Sequence, residues 1–106
     1  MALGRLKFQE FDWDGGNAAK CLGHDVSRRE IEDALSGPVL LIGDPDHSGS
    51  EIRFRAIGRT STGRHLFTVV TFRQREGRVL VRPISARYMH GKEIARYEQT
   101  VAPPEQ

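Results

Sequence analysis

A single cysteine in 106 residues removes two possibilities together, an internal disulfide and a cluster of thiolate metal ligands. Cys21 stands beside Leu22 in a helical pattern, which points to a small buried hydrophobe rather than a reactive thiol. Long apolar runs are missing as well. No stretch approaches the roughly 18 consecutive apolar residues of a membrane span, and the first residues lack the uninterrupted apolar core of a secretory signal. The expectation is a cytoplasmic protein with no membrane partner. Glycine-rich phosphate loops of the Walker or dinucleotide type are absent, as is a G-x-S-x-G elbow, so no nucleotide cofactor is expected. With no internal repeat and no break in composition, a single domain is expected over residues 1–99, followed by a flexible tail at 100–106.

Acidic residues are scarce in one half of the chain. Residues 1–50 carry five Lys/Arg against nine Asp/Glu, whereas residues 51–98 carry eleven against four, a contrast hidden by the net charge of +2. Ten of those eleven cations are arginine, whose planar fork of donors suits paired phosphate oxygens. Such asymmetry points to a polyanion on one face, most often nucleic acid, or to an acidic protein partner. Solvated strand faces give the same composition without any ligand.

Residues 8–11 alternate apolar and polar side chains as a short strand does. Asp14 is a good N-cap for a helix through Ala18, Cys21 and Leu22 that Gly23 stops. A second helix is signalled more strongly. Ser27 and Glu30 form a capping box, Val26 and Ile31 a hydrophobic staple, and Gly37 with Pro38 ends the helix. The period then changes to that of strands at 39–42, 51–57, 65–72 and 78–86, separated by turn-forming stretches. Pro83 cannot donate to a ladder, so its strand is an edge or is bulged there. A final helix carries Ile94 and Tyr97 on one face. The fold class predicted is α+β: two N-terminal helices, a four-stranded antiparallel sheet and a C-terminal helix, with the helices on one face and the other partly open.

Asp44, Asp46, His47 and Ser48 invite a metal reading, but their spacing matches no EF-hand and no second histidine cluster exists for zinc. A hydrogen-bonded turn is expected, with no metal site. What remains is a set of cations, Arg53, Arg55, Arg73, Arg82 and Arg87, with His24, His90, Glu93 and Tyr97 as proton carriers. RNA cleavage without metal needs a base for the 2′-hydroxyl, cations for the phosphorane and an acid for the leaving oxygen, and this set contains all three. Each member has a plain structural alternative. Glu93 can pair with a neighbouring arginine, and Tyr97 can pack its ring on the sheet.

Taken together, Trp13 and Asp14, Gly16 and Asn17, Lys20 and Cys21, His24 to Ser27, Asp44 to Ser48, Arg53, Ile57 to Arg59, Gly63 and Arg64, the block from Arg82 through Arg87 and His90 to Glu93, and Tyr97 with Glu98 closely resemble the BrnT family. Those are toxins of type II toxin–antitoxin modules, related in fold to RelE. The resemblance implies a small ribonuclease that cuts RNA to arrest translation and needs no cofactor. It implies neutralisation by a BrnA-type antitoxin, a dimeric DNA-binding protein through which the pair reaches operator DNA and represses its own operon. Arg82, Arg87, His90, Glu93 and Tyr97 are then the catalytic candidates, and Arg53, Arg73 and His24 the RNA-binding ones. Three positions depart from the family pattern, the first being Gly23, which stands where the family usually has lysine. Asp25 stands where the family usually has glycine, a substitution that carries strain if the position needs positive φ. Gly91 stands where a basic residue is frequent. The altered 23–25 loop and the modest net charge motivate an alternative in which the chain is a catalytically inactive binding module of a repressor complex.

Overall fold

The computed structural model of the chain describes residues 2–47 and 49–101. In chain order the elements are β1 (Gly4–Arg5), β2 (Glu10–Phe11), α1 (Gly15–Cys21), α2 (Arg28–Ser36), β3 (Pro38–Gly43), β4 (Phe54–Arg59), β5 (His65–Arg75), β6 (Arg78–Tyr88) and α3 (Gly91–Val101). The class is α+β, as predicted. No helix among the described residues is long and apolar enough to cross a membrane.

Both N-terminal helices start where the sequence says they should. At α1 the Asp14 carboxylate accepts from the backbone N–H of Gly16 at 2.9 Å and of Asn17 at 3.2 Å, while Asn17 Oδ1 accepts the Asp14 N–H at 2.8 Å. At α2 the Ser27–Glu30 box closes in both directions, with bonds of 3.0 and 3.1 Å. The staple residues Val26 and Ile31 are both buried. A 3₁₀ turn over Leu22–His24 leads out of α1 and ends on Asp25 at φ 60°, the left-handed conformation that glycine adopts without strain.

The sheet has six strands in the order β1-β3-β4-β5-β6-β2, which corrects the four-stranded prediction. The predicted meander is present as β3 to β6, all antiparallel. The N-terminal segment adds a two-residue strand to each edge. Gly4 lies opposite Val39 antiparallel, and Glu10 lies opposite Leu80 in parallel. Two residues are too few to show a period of two, which is why the sequence pattern missed β1 and overextended β2. Phe8, expected in that strand, instead packs edge-on against Phe11 with ring centroids 4.9 Å apart.

The helices do not share one face, a second correction. Helices α1 and α2 bury Cys21, Ile31, Ala34 and Leu35 against Ala56, Leu66, Val70, Val81 and Ala86. Helix α3 takes the opposite face, where Tyr97 meets Leu40 and Ile57, with Ile42, Phe67, Met89 and Val101 around them. The cause is visible in β5. Leu66, Thr68 and Val70 point one way and His65, Phe67 and Val69 the other, so both faces of the strand are apolar enough to be covered. On the first face α2 approaches so closely that a Cβ on Gly58 would stand 2.7 Å from the Ala34 carbonyl oxygen.

The bulge anticipated at Pro83 is there. Val69 lies opposite Ser85 but Val70 lies opposite Pro83, which leaves Ile84 as the extra residue. The Pro83 carbonyl, beyond the end of β2, is taken by the buried side chain of Asn17, whose Nδ2 donates to it at 2.8 Å and to the Asp12 carbonyl at 2.9 Å. One amide thus stitches α1 to the edge of β6. Burial pushes the Cys21 thiol up to about 11, in keeping with a packing role. The first two residues of the expected tail, Thr100 and Val101, continue α3, and 102–106 lie outside the described residues.

Candidate functional site

The open part of the α3 face is a lattice of cross-strand rows. In one row Arg55 of β4 lies opposite Val69 of β5, which lies opposite Ser85 of β6. In the next, Ile57, Phe67 and Arg87 follow in the same order. Period-two spacing along β4 brings basic side chains to this face, and Val69 and Phe67 give them an apolar floor between the strands.

A concavity of about 340 Å³ occupies this lattice. Phe67, Val69 and the bulged Ile84 make its floor. Lys20, delivered by the end of α1, stands at its margin with Arg53 and Arg55, and Asp44 and Ser85 complete the lining. Arg55 pairs at 3.3 Å with the buried carboxylate of Asp44. Asp44 is the one described member of the suspected metal cluster that is buried, and its backbone N–H donates to the Arg53 carbonyl at 2.9 Å. The residues around it turn through a 3₁₀ segment, Pro45–His47. Ser48 and the His47 side chain lie outside the described residues. Among those described, no group of three or more His, Cys, Asp or Glu could hold a metal ion.

Beside the concavity, Arg87 extends over the ring of Phe67 at 4.6 Å and grips Glu93 through both terminal nitrogens, each 2.7 Å from a carboxylate oxygen. Glu93 sits in the first turn of α3 and also accepts the His90 backbone N–H at 3.0 Å. The strand-to-helix corner therefore brings Arg87, His90 and Glu93 together. Hydrogen bonds from Arg87 first, and the His90 N–H second, hold the Glu93 carboxyl down at about 2, while the same pair raises the Arg87 guanidinium further above its ordinary value. Tyr97 lies one turn further along, 7% exposed, with its ring edge-on to His65 at 5.4 Å. A second cavity of about 180 Å³ opens between α3 and the sheet, with Glu93, Arg96 and Tyr97 on its helix side.

Arg73 and Arg82 occupy different surroundings from Arg87. Arg73 makes a two-pronged bond to Glu51 at 2.9 and 3.0 Å and a third to Asp12 at 3.2 Å. Arg82 donates to Asp14 at 3.2 Å, with its other terminal nitrogen 3.0 Å from the second Asp14 oxygen and 3.7 Å from Asp12. That second nitrogen is buried and close in distance, but it has no directed hydrogen bond. Arg82, which the sequence places with Arg87 at the corner, and Arg73, expected as an RNA-positioning cation, are thus both braced by acids of the N-terminal segment, with Glu51 added at Arg73. Part of the charge contrast between the two halves is met internally. His24 is exposed at the end of the 3₁₀ turn that lies between α1 and α2.

Two residues that the sequence reasoning missed belong to this face. Lys20 was invisible because only the docking of α1 on β6 brings it there. His65 lay in the strand pattern beside Phe67 and Val69 but was read only as strand. It is partly buried with Nε2 unpartnered, and burial, ahead of the repulsion from Arg59, lowers its pKa so that the neutral imidazole is favoured.

Comparison with known protein families bears on what such a face does. A search of curated proteins finds no match to the chain. The family model for the ribonuclease toxin BrnT of type II toxin–antitoxin systems matches residues 13–93, from the tryptophan before α1 to the glutamate held by Arg87. That span is most of the described chain and includes both N-terminal helices, the whole meander and the corner, so this chain belongs to the BrnT family of toxin–antitoxin ribonuclease toxins.

Proposed function

We propose that the chain is a RelE-like, metal-independent endoribonuclease that cleaves RNA to inhibit translation in the cytoplasm. The observation that carries the reading is the Arg87 fork, aimed by Glu93 and seated over Phe67 at the rim of a basic concavity on an open sheet face. In such a reaction the 2′-oxygen attacks the adjacent phosphorus while the P–O5′ bond breaks. One proton leaves the 2′-hydroxyl and one reaches the departing 5′-oxygen. Arg87 has further N–H groups beyond the two that Glu93 engages, and they are the donors for the phosphorane charge. Removing such a donor typically costs on the order of a hundredfold in rate.

Glu93 holds its proton too weakly to be an efficient base while Arg87 grips it. Its role in this reading is to position Arg87, and it regains basicity only as the RNA phosphate draws the guanidinium away. His90, exposed beside the pair, is the proton carrier for the attacking oxygen, since imidazole is the side chain most often used for that step. The Tyr97 hydroxyl, at the cavity under α3, is the candidate acid.

A BrnA-type antitoxin would neutralise the toxin most simply by covering this basic face with an acidic segment, and the complex would reach operator DNA through the antitoxin. The decisive experiment incubates purified wild type and Arg87→Ala with total RNA in EDTA, maps cuts by primer extension, and verifies folding by circular dichroism. Cuts by the wild type that vanish in a folded mutant support the reading. No cutting by a folded wild type, with ribosomes or without, overturns it. A second reading, the inactive binding module, draws on the same pair: in the free chain Glu93 already occupies an N–H of each Arg87 terminal nitrogen. It expects tight antitoxin binding with no RNA turnover at any enzyme concentration.

A further inference from the structure

We infer that the concavity beside Arg87 is a seat for one unpaired nucleotide, so that the RNA recognised is single-stranded. This rests on the ribonuclease reading of the neighbouring corner. Its floor and its margin divide the chemistry of a nucleotide between them. Phe67, Val69 and Ile84 offer an apolar surface for the flat face of a base, whereas Lys20, Arg53 and Arg55 stand where the flanking phosphates would lie. A volume of about 340 Å³ is near the lower end of what a small-molecule pocket needs, enough for a nucleotide and too small for a stacked pair.

Two features make this a built recess rather than a solvated dip between strands. Asp44 is only 4% exposed and anchors Arg55 at 3.3 Å, which fixes that guanidinium at the wall instead of leaving it to wander in solvent. The bulge adds Ile84 to a floor that a regular ladder would have built from Val69 and Ser85 alone. Base pairing is what the recess excludes. In an A-form duplex the base faces are stacked and the major groove is too narrow for side chains, so no base could reach the Phe67–Val69–Ile84 floor without leaving its helix. Recognition here reads the availability of a base and leaves the sequence open, because every base has an apolar face.

The test uses a fluorescent 2′-O-methyl RNA, which lacks the attacking hydroxyl and cannot be cut, as a single strand and as a duplex of the same sequence. Anisotropy titrations of the whole protein should show the single strand bound at least about tenfold more tightly. Ser85→Tyr, which fills the recess without touching a charge, should weaken single-strand binding about tenfold while leaving thermal melting and salt dependence unchanged. Lys20→Gln should weaken it and lower the slope of log affinity against log salt by about 0.7, as expected for one phosphate contact to a single strand. Equal binding of duplex and single strand, no binding by the wild type, or indifference to a folded Ser85→Tyr each overturns the inference. Cleavage of natural RNA that survives Ser85→Tyr would refute the seat and leave the ribonuclease standing. Seat-dependent binding with no cleavage would do the reverse.

Discussion

Gly58→Ala tests the way the two layers of this protein meet. The glycine lies in β4 under α2, where a Cβ would stand 2.7 Å from the Ala34 carbonyl oxygen, 3.0 Å from Val39 Cγ1 and 3.4 Å from the Ala34 carbonyl carbon. A carbonyl oxygen in a helix cannot rotate away as a side-chain tip can, so the methyl must push α2 outward by about half an ångström or more. That shift loosens Ile31, Ala34 and Leu35 together, because all three ride on the same helix face. Overpacking of this kind costs roughly 1–3 kcal/mol, offset in part by the 0.5–1 kcal/mol that alanine ordinarily gains over glycine in a strand. A net loss of about 1.5 kcal/mol remains. For a domain of this size that lowers the melting temperature by about 6–12 °C. Thermal melts followed by far-ultraviolet circular dichroism, with Gly91→Ala as control because nothing lies within 4 Å of its added methyl, measure the difference. A Gly58→Ala protein that melts at or above the wild-type temperature would refute the close approach of α2.

The Arg87–Glu93 pair predicts a pH effect of definite sign. Glu93 is depressed from 4.5 to about 2, so its contribution to stability is complete above pH 4.5 and is lost as the pH falls through about 2. With the two side chains 37% and 34% exposed, solvent screening limits that contribution to about 1 kcal/mol. Urea midpoints should show that Glu93→Gln loses less stability than wild type between neutral pH and about pH 3; an equal loss would count against the pair. Asp25→Gly should stabilise the fold by about 0.5 kcal/mol, since Asp25 sits at φ 60°, and a measured loss of stability would argue against strain at that turn. Cys21, buried with its thiol raised to about 11, should resist a thiol-specific disulfide reagent at mildly alkaline pH and react at once in urea; rapid labelling of the native protein would contradict its burial.

Much of this fold could be read from the chain because its signals are local. The Ser27–Glu30 box, the Asp14 cap and the turn glycines act within a few residues of themselves, so sequence order and spatial order coincide. The parallel pairing of Glu10 with Leu80 has no such local signature. Helix α3 landed on the unexpected face because the strand pattern identifies that residues alternate, but not which apolar set each helix will choose. The site was legible in the same proportion. Arg87, His90 and Glu93 are neighbours in sequence and meet at a single turn. Arg73 and Arg82 were grouped with them by charge, yet their partners are Glu51, Asp12 and Asp14, up to 68 residues away, which no spacing rule can supply.

The extra residue in β6 sets the phase of everything that follows it. Arg82 and Arg87 are five apart, an odd interval that on an unbroken strand would aim them at opposite faces of the sheet. Their partners across the ladder, Thr71 and Phe67, are four apart, so with Ile84 counted out the two arginines point the same way. The bulge, more than the residue at position 84, is therefore what keeps the two arginines together. Any of several residues could stand there, and deleting it would leave Arg82 and Arg87 four apart on a regular ladder and still on one face. Ironing the bulge out with all its residues kept is what would act like a frameshift written in geometry: Arg87 would turn into the layer beneath α2, Ala86 would surface where the guanidinium had been, and the corner would lose its cation without any charged residue having been mutated.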